Sequence, residues 1–135
     1  MKYLKYYIST VTLTIAFHVC FLGEYYPTIF FFCFSLFIIL GDLVVKEDSA
    51  EQQYSKLYLL NLPMYLNFPL LTTILLISAF MLGDNPQNAF TNIVSTYLNT
   101  DLLDVRNSLN IFDSIFLVAQ MGLFIGIMGT VPGHE

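Results

Sequence analysis

Charge is what this 135-residue chain has least of. Asp, Glu, Lys and Arg together supply 11% of its residues, where soluble domains carry about 25%. Lys and Arg number only five, so no basic patch can form and no nucleic-acid partner is expected. Cysteine is scarce too. Cys20 and Cys33 fall inside apolar runs, far from any Cys-rich loop, which excludes a disulfide framework and predicts two small buried side chains. Strand periodicity is missing: the apolar runs are continuous, with none of the alternation of a barrel strand. No small-x-small cleavage site follows the first run, although Lys2 and Lys5 precede it. Gly23-Glu24-Tyr25-Tyr26 follows instead, and a second run begins at once, as in a retained hairpin rather than a cleaved leader. Internal repeats and low-complexity tracts are also lacking.

Hydrophobic residues are what is there, at 56% of the chain. A soluble domain of this length buries one core and cannot hide that much apolar surface, so a bilayer is the expected solvent. Four stretches approach the roughly 20 apolar residues of a span: about Leu4–Leu22, Pro27–Val45, Leu59–Leu82 and Ile111–Val131. Backbone amides cannot go unpaired in lipid, so each is read as a helix. The expected fold is an all-α, polytopic transmembrane helical bundle with about four spans in residues 1–135.

The connections refine this reading. The short Gly23–Tyr26 link predicts a tight antiparallel hairpin, with Pro27 in the first turn of the second helix. Tyr25 and Tyr26 suit one interfacial aromatic belt, and Tyr3, Tyr6 and Tyr7 the other. Lys46–Lys56 is polar and belongs in water or at headgroups. Pro63 and Pro69 predict a kink, or an interfacial piece before the third span. Asp84-Asn85-Pro86 marks a turn, and the spaced apolar residues of Ala89–Leu98 predict an amphipathic helix on the bilayer surface. Lys2, Lys5, Lys46 and Lys56 fall on one side of a four-span arrangement and Arg106 alone on the other. Positive-inside bias therefore puts the amino terminus, and with it the carboxyl-terminal His134, in the cytoplasm.

Polar residues inside the runs are candidate sites. Asp113 and Gln120, seven apart, share one face of the fourth helix. They read either as groups behind a metal or along a substrate channel, or as a first-turn Asp complementing the helix dipole and a packing Gln; the second reading is favoured for Asp113. Asp42 reads equally as a residue facing the cytoplasmic site or as a solvated helix end. His18 reads as a hydrogen-bonded packing residue. Gly122 and Gly126 form a G-x-x-x-G, which argues close helix packing.

His134 and Glu135 follow Gly129-Thr130-Val131-Pro132-Gly133 at the end of the fourth run. Pro132-Gly133 breaks the helix as it leaves the membrane and makes the imidazole accessible. A His-Glu pair opens the H-E-x-x-H pattern, in which two histidines one turn apart hold a metal. The second histidine would lie beyond residue 135, so the chain is expected to be the front part of a longer protein.

The tail Met128–Glu135 resembles the start of the first histidine box of membrane-bound alkane hydroxylases, within the wider superfamily of fatty acid desaturases and hydroxylases. Leu40-Gly41-Asp42-Leu43 followed by Lys46-Glu47-Asp48-Ser49 resembles that family's acidic loop after the second helix. It departs from the family at Ser49-Ala50-Glu51-Gln52, where an Asn-Pro continuation is expected. The resemblance implies a six-helix enzyme of the cell inner membrane with a histidine-ligated di-iron centre, hydroxylating alkanes or alkyl chains with O2. It implies a rubredoxin-like or ferredoxin-like electron donor. His134 would be an iron ligand, with Glu135 orienting the ligands, and the remaining histidines would lie beyond residue 135. Residues 1–135 alone are expected to be inactive. Three alternatives stay open: a desaturase of the same superfamily, an intramembrane zinc protease with Glu135 as general base, and a non-enzymatic membrane subunit.

Overall fold

A computed structural model describes residues 7–44, 57–83 and 89–129. His134, Glu135, Lys46–Lys56 and the turn at Asp84-Asn85-Pro86 lie outside the described residues. Those residues are all-α: six α-helices, no strand among them, and a closing π-helical turn. In chain order the helices are α1 (Ile8–Val19), α2 (Tyr26–Val44), α3 (Leu57–Leu82), α4 (Ala89–Leu98), α5 (Leu102–Ser108) and α6 (Ile111–Phe124), and α6 runs on into the π turn Ile125–Gly129.

α1, α2, α3 and α6 run alternately up and down and form a four-helix bundle. α1 packs chiefly on α3, and α2 on α6. Cross-links fix the directions. Tyr7 at the start of α1 reaches Leu59 near the start of α3, so these two are parallel. Thr28 in the first turn of α2 meets Asp113 in the first turn of α6, so these two are parallel as well. Contacts of α1 with α2 and of α3 with α6 close the ring. Leu13, Ala16, Ile74, Ile77, Leu117 and Phe124 form the centre, all essentially inaccessible. Phe30 and Phe34 lay their rings against Phe124, with centroids 6.4 and 5.3 Å away, within the range where aromatic edges and faces attract.

Among the described residues one helix, Asn61–Leu82 within α3, is long and apolar enough to cross a membrane. α5 and α6 with its extension also pass that test together, but as a pair bent by 109°. Ile8–Val19 and Tyr26–Gly41 are shorter apolar helices; the 12 residues of α1 rise only about 18 Å against a hydrocarbon thickness of about 30 Å.

Several expectations change here. The first run stops being helical at Val19, and Cys20–Leu22 turn instead. Its link to α2 is tight, yet the two helices splay apart, because each packs better on a different partner. Pro63 and Pro69 both lie within the single helix α3, as the kinked-helix reading requires. The expected helix over Ala89–Leu98 exists as α4, and α5 follows it as a separate element. Cys20 is buried as expected, whereas Cys33 is exposed. A Cβ added at Gly122 or Gly126 would meet nothing within 4 Å, so the G-x-x-x-G makes no close helix contact here.

The exposed surface is unusual for a protein in water. Ile29, Phe32, Leu36, Phe37, Ile39 and Leu40 on α2 alone are each half exposed or more. Large apolar side chains on the outside outnumber those in the core among the described residues. Soluble monomers rarely show apolar patches of this extent.

Candidate functional site

Local sequence builds two polar anchor points, one at each end of the bundle. At the first, Asn110 precedes α6 and its Oδ1 accepts from Phe112 N (2.8 Å) and Asp113 N (3.0 Å). Asp113 Oδ2 accepts in return from Asn110 N at 3.1 Å, which completes a capping box. Asp113 Oδ1 accepts from Thr28 Oγ1 at 2.5 Å. The carboxyl group is fully buried, and each of its oxygens holds a donor of the chain itself. Asp113 is therefore a clamp between α2 and α6 at the first turn. That agrees with the favoured sequence reading, except that the residue is buried rather than at an open interface. Beside it, Gly23 adopts φ +66°, and a Cβ there would collide with Ser108 Oγ. The space a side chain would need is taken by that hydroxyl, which also accepts from Glu24 N at 3.0 Å. Arg106 donates to the Gly83 carbonyl at the end of α3, a cation where the helix dipole is negative.

At the opposite end, Tyr7 OH donates to Leu59 O at 3.2 Å. Helix geometry explains the pairing. Leu59 O would normally accept from residue 63, and Pro63 has no N–H to give. The freed carbonyl takes a phenol from α1 instead. Next to it, Thr10 Oγ1 donates to Asn67 Oδ1 (2.7 Å), and Asn67 Nδ2 donates to Ser9 Oγ (2.8 Å).

Between the anchors the bundle is apolar, with two exceptions. Gln120 is 1% exposed and neither of its amide atoms has a hydrogen-bond partner; Ser78 is likewise buried, with the Cys20 thiol beside it. Of the residues singled out from sequence, Asp113 and Gln120 thus lie on one buried face of α6 and behave differently. His18 is exposed, and its Nδ1 lies 2.7 Å from Thr14 O. Asp42 falls within α2, with its side chain outside the described residues. Thr28, Asn67, Ser78 and Ser108 were missed. The available signal for the first three was a polar residue within an apolar run.

A groove of about 570 Å³ opens between the splayed α1 and α2, lined among others by Val11, Thr12, Ile15, Phe30, Phe34 and Phe37. Its size falls in the ordinary range of small-molecule sites. No charged side chain lines it, so what fits is hydrocarbon. A second groove of about 500 Å³ runs along α1 and α3 past Thr10, Thr14, Pro69 and Thr73. The hydroxyls of Thr14 and Thr73 there bond back to carbonyls of their own helices and offer little to a ligand.

No cluster of three or more His, Cys, Asp or Glu side chains able to hold a metal occurs among the described residues. No protein-family model, curated protein or solved structure matches the chain.

Proposed function

We propose that this chain is the amino-terminal, membrane-embedded part of a non-haem di-iron monooxygenase of the alkane hydroxylase kind, acting on alkanes or alkyl chains with O2. One observation carries the reading: a helical bundle poor in charge turns apolar side chains outward and is followed in the sequence by His134-Glu135. In this proposal α1 and α2 cross the bilayer together with α3 and α6, giving four spans. The amino terminus and His134 lie on the cytoplasmic side of the cell inner membrane, within reach of a rubredoxin-like or ferredoxin-like donor.

The described residues do not by themselves fit an iron pair, since they bring no donor cluster together. The ligands would be His134 and histidines beyond residue 135, and no chemical step is drawn through them. What the described residues contribute is a scaffold and an apolar surface. The anchors at Asp113 and at Asn67 fix the bundle at both ends. The groove along α1 and α2 offers hydrocarbon walls to an alkyl chain. The closing turn Ile125–Gly129 is π-helical, a geometry common where helices approach functional sites, and in the sequence it comes a few residues before His134.

The test is made on membranes carrying the full-length protein, supplied with such a donor, O2 and a medium-length alkane. His134→Ala is expected to lose both bound iron and alcohol formation while the protein still accumulates in the membrane. A wild-type protein that purifies with zinc and cleaves peptides, or that introduces double bonds instead of hydroxyl groups, contradicts the assignment.

A further inference from the structure

We infer that α4 is an interfacial anchor that lies on the phospholipid surface at the end of the bundle formed by the Gly23 turn. The inference rests on the membrane reading above. Its ground is an apolar strip that one helix leaves uncovered. Successive residues turn by about 100°, so nine of the ten residues of α4 fall into three strips, the side chain of Phe90 lying outside the described residues. Thr91, Val94, Ser95 and Leu98 face the protein, and Thr91 is only 3% exposed. Asn92 and Thr96 form an exposed polar strip. Ala89, Ile93 and Tyr97, spaced by four, form an exposed strip in which Ile93 is 62% and Tyr97 89% accessible. The inward face sets two hydroxyls beside Val94 and Leu98, with Val94 packed against the core, while Ile93 and Tyr97 point away from it.

Water does not favour that arrangement, but a bilayer interface does. An interfacial helix sinks its apolar face about 5–10 Å into the boundary between headgroups and acyl chains. α4 contains no charged residue, so it needs no anionic lipid and fits a zwitterionic surface. Tyr97 has the amphipathic ring found at headgroup level. Tyr25 and Tyr26, at the same end of the bundle, are exposed as well and continue the belt. The neighbouring α5 turns 109° from the α6 axis, so the chain runs across the bundle end here. α5 shows exposed acidic residues, Asp101 and Asp104, which keeps its outer side in water while α4 meets lipid.

The chain has no tryptophan, so Tyr97→Trp introduces a single indole, which can be excited apart from the tyrosines, at an exposed position. The protein is reconstituted into phosphatidylcholine vesicles carrying a spin label either near the headgroup or near the acyl-chain end. A separate Phe37→Trp protein, with its fluorophore on the apolar outer face of α2, serves as the reference for the spans. For Tyr97→Trp the expected result is strong loss of indole emission to the shallow label, weaker loss to the deep label, and poor quenching by aqueous iodide. Free access of iodide to the indole of Tyr97→Trp, while that of Phe37→Trp is quenched by the deep label, overturns the inference and leaves the membrane reading standing. Iodide access in both variants overturns both. Shielding of the Tyr97→Trp indole from iodide and from both labels, increasing with protein density in the vesicle, assigns the strip to a second copy of the chain and also overturns the inference.

Discussion

The Thr28–Asp113 clamp makes a quantitative prediction. Asp113→Ala removes the acceptor of the Thr28 hydroxyl and the acidic half of the capping box at Asn110. A hydrogen bond to a charged group contributes about 1.5–3 kcal/mol in soluble proteins, and a helix cap about 0.5–2 kcal/mol. Between membrane helices, measured coupling is smaller, averaging about 0.6 and reaching about 1.7 kcal/mol, because the unfolded chain in the membrane finds other partners. Asp113 is fully buried with both oxygens engaged, which puts this pair at the upper end. The expected double-mutant coupling between Thr28→Val and Asp113→Ala is therefore about 1–1.7 kcal/mol. Each single variant is destabilised, and adding Thr28→Val to Asp113→Ala costs almost nothing, since the stranded hydroxyl goes with it. The assay is reversible unfolding of the four proteins by sodium dodecyl sulfate in mixed micelles. Coupling below about 0.3 kcal/mol, the level at which independent sites add, refutes the clamp.

Three further outcomes follow from the same structure. Tyr7→Phe is expected to cost about 1 kcal/mol in the wild type and close to nothing in a Pro63→Ala background, where the restored N–H reclaims Leu59 O; equal costs in both backgrounds in the same micelle assay contradict the pairing. Gln120→Leu is expected to leave stability unchanged or raise it by about 1–3 kcal/mol, since it removes two buried polar atoms that have no partner; a large loss shows that the amide is bonded after all. Gly23→Ala is expected to destabilise by roughly 2 kcal/mol or more, from the left-handed backbone and the blocked space at Ser108, and a neutral effect means that the turn has another shape.

The sequence was legible where composition alone decides structure. Continuous apolar runs of span length had to be helices, and the bounds of α2, of α3 and of α6 with its π turn fall within a few residues of the runs. The periodicity of Ala89–Leu98 found α4. The first-turn position of Asp113 was readable because it stands near the start of the run Ile111–Val131. What was not legible depends on partners distant in sequence. Pro63 reads as a kink or the edge of an interfacial piece, but nothing near it shows that Tyr7, 52 residues before Leu59, takes the freed carbonyl. The G-x-x-x-G of α6 has the pattern of a packing face, yet no helix among the described residues covers it. Cys33 sits in an apolar run as Cys20 does, and only the splay of α1 from α2 leaves it outside. The metal reading rests on His134 and Glu135, beyond the described residues, so the fold positions none of its chemistry directly.

Cys33 offers the most direct measurement of the central claim, that this apolar exterior faces lipid. Its thiol is exposed on the bundle surface, while Cys20 is buried and serves as an internal reference. In intact vesicles Cys33 is predicted to resist a charged, membrane-impermeant thiol reagent for as long as Cys20 does, and both should label once detergent unfolds the chain. Rapid labelling of Cys33 by that reagent in sealed, undisrupted vesicles would contradict the account, because it puts water where the proposed topology requires hydrocarbon.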